Sequence, residues 1–180
     1  MNKEIDFLKE LQKELKTQNH DSQASPRFWT VADYEDRVVG DGYHDKVEIY
    51  SPDSCTSQSL VEAIEELKEY GKSSLYELDR DSLRVIELYE DGENDILELY
   101  QEYIDKDAYM VYLEKTHIIK PNTMFLTKQE AKDHIRLNNY HYTSEAHTYA
   151  MTAWRSPKVE KVLDILENFD WDKMEMGGRR

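Results

Sequence analysis

The chain has 180 residues, 39% hydrophobic and 34% charged, with 13 Tyr, 3 Trp and 4 Phe to fill a core, and only 6 Gly and 4 Pro; this excludes a largely disordered chain and fits one ordinary domain. Cys55 is the sole cysteine, which excludes an internal disulfide and fits a reducing compartment, while apolar runs of a few residues exclude a membrane-spanning helix. The N-terminus MNKEIDFLKELQ, with acids every few residues, has no apolar signal core, so the expected location is the cytoplasm, and the net charge is −15.

Ile5, Leu8, Leu11 and Leu15 fall at helical spacing and predict an amphipathic helix over residues 3–17. The polar stretch TQNHDSQASP, residues 17–26, is the best linker candidate, so residues 1–18 are expected as a separate helix before a single α+β domain over 27–171. Arg27 to Val39 is aromatic and β-branched and reads as a strand. Gly40-Asp41-Gly42 reads as a turn into a second strand, Lys46 to Tyr50, and the two together as a hairpin closed by Ser51-Pro52-Asp53. Ser59 and Glu62 have capping-box spacing, opening a helix with Leu60, Ile64 and Leu67 on one face and a stop at Gly71. Leu83 to Tyr89 is read as a strand, and Ile96, Leu99, Tyr100 and Tyr103 as a short acidic helix. Tyr109 to Leu113 and Met124 to Leu126 read as strands around a turn at Pro121-Asn122.

The last third predicts three helices over residues 127–170. Thr127 and Glu130 cap one that ends near Asn138-Asn139, Ser144 caps a second through Trp154, and Ser156-Pro157 opens a third. That third helix is expected to bury Val159, Val162, Leu163, Leu166 and Phe169. The fold class is therefore α+β, a small mostly antiparallel sheet with helices, without internal repeats.

Charge is uneven along the chain. Residues 59–107 hold 16 acids and five bases, whereas residues 115–161 hold eight bases and four acids. The candidate partner-binding residues are Glu62, Glu66, Glu69, Glu90, Asp91, Glu93, Asp95, Glu98, Glu102 and Asp105. The plain reading is a solvated face that keeps the protein soluble. The functional reading is a carboxylate array imitating the phosphates of duplex DNA, which carries about one charge per 1.7 Å of axis.

Catalysis finds little support. Gly40-Asp41-Gly42 is not a phosphate loop, and CxxC, HExxH and GxSxG patterns are absent, so the expectation is a binding protein without a cofactor. His117, His134, His141 and His147 cluster late, but a metal site needs three or four convergent ligands, and hydrogen-bonded structural histidines are preferred. The segment Arg136 to Arg155 interleaves Arg136, Asn139, Tyr140, His141, Tyr142 and Arg155, types that stack on bases and hold phosphates. The alternative is a helix–turn–helix packing unit with Tyr149, Ala150 and Trp154 in the core, and it is the preferred one.

The stretch FLTKQEAKDHIRLNNYHYTSEAHTYAMTAWRSPKVEKVLDIL, residues 125–166, resembles the C-terminal block of small uncharacterised phage and prophage proteins of Gram-positive bacteria. FWTVADYEDRVV, residues 28–39, is similar to the opening strand of the same group. The resemblance implies a phage accessory protein acting in the bacterial cytoplasm, of the kind that includes anti-CRISPR inhibitors. It implies as partner a host nuclease, for instance a CRISPR effector of the Cas9 type, whose groove the carboxylates would cover. No catalytic motif of the group maps onto this chain.

Overall fold

The structure is a computed structural model that describes residues 3–73, 82 and 92–176. In chain order its elements are α1 (Lys3–Thr17), β1 (Arg27–Val38), β2 (Lys46–Ser51), β3 (Thr56–Ser59), α2 (Leu60–Ser73), α3 (Glu93–Tyr103) and β4 (Tyr109–Ile119). There follow α4 (Lys128–Leu137), β5 (His147–Thr152), α5 (Pro157–Asn168) and α6 (Asp172–Met176). The fold is α+β, with five antiparallel strands in the order β3-β2-β4-β1-β5. Contacts divide the chain into two compact units, residues 1–34 with 117–180, and residues 35–116.

Within residues 35–116, the core is built from alternate positions of β2 and one stripe each of α2 and α3. Val47 and Ile49 meet Leu60, Ala63, Ile64 and Leu67, and Ile96, Tyr100 and Ala108 complete the cluster. Ile49, Leu67 and Ile96 are almost fully buried, each contributing about 1.5–3 kcal/mol of transfer free energy. The expected capping box opens α2: the Glu62 amide donates to Ser59 Oγ at 3.3 Å, and the Ser59 amide donates back to Glu62 Oε2 at 2.8 Å. The helix runs past Gly71 to Ser73.

The hairpin expected between β1 and β2 does not form. β2 pairs with β3 on one side and with β4 on the other. Residues 39–45 are tied to β4 instead, Val39 N–H donating to Tyr112 O and Asp45 N–H to Leu113 O, both at 2.9 Å. Gly42, at φ 85°, takes the left-handed turn that this excursion needs. β3, sequence TSQS, has no hydrophobic alternation to mark it as a strand, and its place at the sheet edge requires none.

In the other unit, β1 pairs with β5 in the register Arg27↔Thr152 to Ala32↔His147. The helix expected from Ser144 through Trp154 is therefore a strand, and the helical stretch 127–170 is two helices with a strand between them. His147 to Thr152 alternates, with Ala150 buried, and its Thr, Tyr and Met side chains suit a pleated surface once β1 offers an open edge. Met124 to Leu126 is not a strand; Phe125 alone makes a bridge, exchanging two 2.8 Å backbone bonds with Trp29. Trp29, Ala131 and Ala150 form a small core with Phe125 against it.

Pro157 opens α5 after Ser156 as anticipated, although the Ser156 side chain makes no capping bond. Leu163 is the buried residue of this helix, whereas Val162 is 55% exposed and Phe169 also faces solvent. α1 packs along α5 with Ile5 and Leu15 buried, and Gln12 Nε2 donates to the carbonyls of Leu166 and Phe169 at 3.0 and 2.9 Å. The division expected at the 17–26 linker is thus not where the contacts separate, since α1 belongs with the C-terminal helices. The strand expected at Leu83 to Tyr89 lies outside the described residues.

Candidate partner-binding surfaces

The two units differ completely in charge. Residues 35–116 hold 23 acids and 8 bases, a net of −15, while the rest of the chain holds 15 acids and 15 bases. The whole formal charge of the protein belongs to one compact unit.

On the outer sides of α2 and α3 this charge is exposed. Glu65 and Glu69 stand on α2, and Glu93, Glu98 and Glu102 on α3, with Asp95 half-buried. Ion pairs within this unit include Arg37 with Glu35 and Lys46 with Asp36 and Glu48. Among the described residues, no lysine or arginine lies at ion-pair distance from Glu65, Glu69, Glu98 or Glu102. Lys68 and Lys72 are the only cations on α2, and α3 has none.

Several of the expected partner-binding acids serve the fold. Asp105 is buried, not exposed: its Oδ2 accepts from Ser51 Oγ at 2.6 Å and from the Asp53 amide, and Oδ1 from the Asp107 amide. The Ser51 hydroxyl leads in holding its carboxyl below the usual carboxylate range. It organises the loop before β4 and offers nothing to a partner. Glu66 Oε2 accepts from Tyr100 Oη and Gln58 Nε2, both at 2.8 Å. Burial first, then the bond to Glu66, raises the Tyr100 phenol well above its ordinary value. Glu62 remains exposed but is engaged in the α2 cap, and the Ser59 amide and hydroxyl lower its carboxyl. Glu90 and Asp91 lie outside the described residues.

The rival set sits in the neutral unit, spread over α4, the turn after it and the residues following β5. Arg136 is paired with Asp133 at 3.0 Å on α4. Asn139, Tyr140 and His141 form a 3-10 turn, in which the Tyr140 and His141 rings lie 4.1 Å apart and Tyr140 is 75% exposed. Tyr142 turns inward to His134 Nε2 at 2.8 Å, and burial first, then the charge of Asp33, raises its phenol. Arg155 follows β5 beside Trp154, which is 78% exposed and not the core residue expected of it.

Of the late histidines, His117 and His147 stack at 5.4 Å with Tyr34 and Tyr149 around them, while His134 and His141 are engaged elsewhere. No three His, Cys, Asp or Glu side chains converge as a ligand set among the described residues. No described helix is long and apolar enough to cross a membrane.

The class these features define is an α+β protein of one acidic and one neutral unit. Comparison with family models, with curated proteins and with solved structures finds no match.

Proposed function

We propose that the protein acts by binding and not by catalysis, as an inhibitor of the phage-encoded, anti-CRISPR kind that occupies the nucleic-acid channel of a host defence nuclease. The observation that carries this reading is the confinement of the entire −15 charge to residues 35–116, with exposed carboxylates on α2 and α3 that no described cation neutralises. Such an array steers itself towards a cleft lined by Lys and Arg and competes there with phosphates. Glu65, Glu69, Glu93, Glu98 and Glu102 would make the contacts; Asp105 and Glu66 would hold the surface in shape.

The test is a pull-down with a guide-loaded RNA-guided nuclease of the Cas9 type, together with a cleavage assay. Binding is expected to weaken as salt rises, because screening removes steering between exposed charges. Reversal of Glu93, Glu98 and Glu102 to Lys should abolish inhibition, and full inhibition by that variant would sink the mechanism.

One observation favours a second reading, a nucleic-acid-binding accessory protein: Tyr140 and Trp154 present open rings near Arg136 and Arg155 in the sequence. A mobility shift with single-stranded DNA that survives physiological salt and weakens in Tyr140→Ala would select it over the inhibitor.

A further inference from the structure

We propose that the groove between α1 and the start of α4 docks a cationic amphipathic helix of a partner protein. α1 presents two faces. One, through Ile5 and Leu15, is used up against α5, with Gln12 anchoring the contact. The other runs through Phe7, Glu10, Leu11 and Glu14, the i, i+3, i+4, i+7 spacing of a single helix face, and lines an open groove of about 500 Å³ with Met124 and Glu130. Phe7 is 60% exposed and Met124 61%, so two large apolar side chains meet water at one place.

The rim decides what covers them. Among the described residues no lysine or arginine lines the groove itself, and Glu10, Glu14 and Glu130 make no ion pair; Lys128 and Lys132 line only the adjoining pocket at Glu14, and Lys128 is held by Asp21. Asp133, at the end of the groove, is already held by Arg136 and Gln129. Oε1 of Glu14 is buried and accepts no hydrogen bond at all. An uncharged apolar ligand would strip water from these carboxylates and leave them unpaired, which costs several kcal/mol for a desolvated ion. A polyanion would be repelled. A helix with Leu-like side chains on one face and flanking Lys or Arg satisfies both the apolar floor and the acidic rim, the arrangement by which helices bind in grooves. From Phe7 to Glu14 this face rises about 10 Å, so two to three turns of a partner fill it. This site lies in the neutral unit, whereas the α2–α3 acids belong to the other.

The probe is a labelled helical peptide of Leu, Ala and Lys, with Leu and Lys at helical spacing, measured by fluorescence anisotropy against a scrambled peptide of the same composition. The charge of residues 35–116 will attract any basic peptide, so the variants discriminate. Phe7→Ser and Glu14→Gln, both with unchanged circular dichroism, are expected to weaken the ordered peptide about tenfold or more, equivalent to 1.4 kcal/mol. Glu98→Lys should leave it within about twofold. Equal binding of the scrambled peptide, wild-type affinity in both groove variants, or loss only in Glu98→Lys would overturn the proposal. So would a wild-type dimer that Phe7→Ser converts to monomer, because the groove would then be a contact between copies of this chain.

Discussion

Asp33 and Thr143 are joined twice across 110 residues of chain: the Thr143 amide donates to Asp33 Oδ2 at 3.0 Å, and the Thr143 hydroxyl donates to Oδ1. The Tyr34 amide adds a bond to Oδ1 at 2.9 Å, and Lys120 Nζ stands 3.6 Å from Oδ2. This fully buried carboxylate pins the turn between α4 and β5 onto β1. Burial alone would raise its carboxyl, but the Thr143 and Tyr34 bonds and Lys120 together hold it below its ordinary value of 3.8.

A lowered carboxyl stabilises the fold most above the unfolded-state value and loses that contribution as pH falls through the folded one. Asp33→Asn turns an acceptor into a partial donor that faces amide N–H groups. It should cost about 1–3 kcal/mol at neutral pH and flatten the acid limb of stability against pH below about 4. Urea titrations of both proteins from neutral to acidic pH read this directly. Parallel curves would mean that Asp33 is not the group responsible.

Gln18 makes the second prediction. Its Oε1 accepts from Trp29 Nε1 and from the Lys128 amide, both at 2.9 Å, and Lys128 Nζ lies 4.9 Å above the Trp29 ring. Gln18→Ala leaves an indole N–H and a helix N-terminal amide without their acceptor, for an expected loss of about 1–3 kcal/mol. Gln18→Glu keeps the acceptor and should keep most of the stability. Thermal melts followed by tryptophan fluorescence compare the three.

Gln18 also marks where sequence reasoning stopped. Residues 17–26 look like a linker because they are small and polar, yet one of their side chains serves as hub for residues 11 and 110 positions away. Local signals were legible: the Ser59–Glu62 cap, the Thr127 side chain accepting from the Glu130 amide, Pro157 at the start of α5, and the stripes of α1, α2 and α3. What depended on distant pairing was not. β3 has no pattern of its own, and the spacing of Tyr149, Ala150 and Trp154 mimics a helix until β1 sets the register. The acidic unit could be read from composition. Which acids were committed to the fold could not, because the partners of Asp105 and Glu66 are Ser51 and Tyr100, 54 and 34 residues away.

Glu62 permits a separation of fold from function. Its amide and carboxylate both take part in the cap with Ser59. Ser59→Ala should cost about 1 kcal/mol. Glu62→Gln preserves an acceptor for the Ser59 amide and should leave the melting temperature near wild type, while Glu62→Ala lowers it. A variant set in which Gln and Ala are equally destabilising would show that charge, not the hydrogen bond, is what Glu62 supplies. Inhibition assays on the stable Glu62→Gln protein then report whether this carboxylate touches the partner at all.

The C-terminal half of α3 is arranged against its own stability. Glu98 and Glu102 stand one turn apart on the same face, and Glu102 lies in the last turn, where the helix dipole favours a cation and where there is none. Like charges at this spacing, in a unit of net −15, lower stability in a way that salt relieves. Glu102→Lys is therefore expected to raise stability by a few tenths of a kcal/mol at low ionic strength. It should also shrink the gain that wild type shows when salt is added. If these acids are kept for a partner, the same substitution weakens inhibition, so stability and activity move in opposite directions. A Glu102→Lys protein that is both more stable and fully active would mean that the Glu102 carboxylate does no more than solvate the surface.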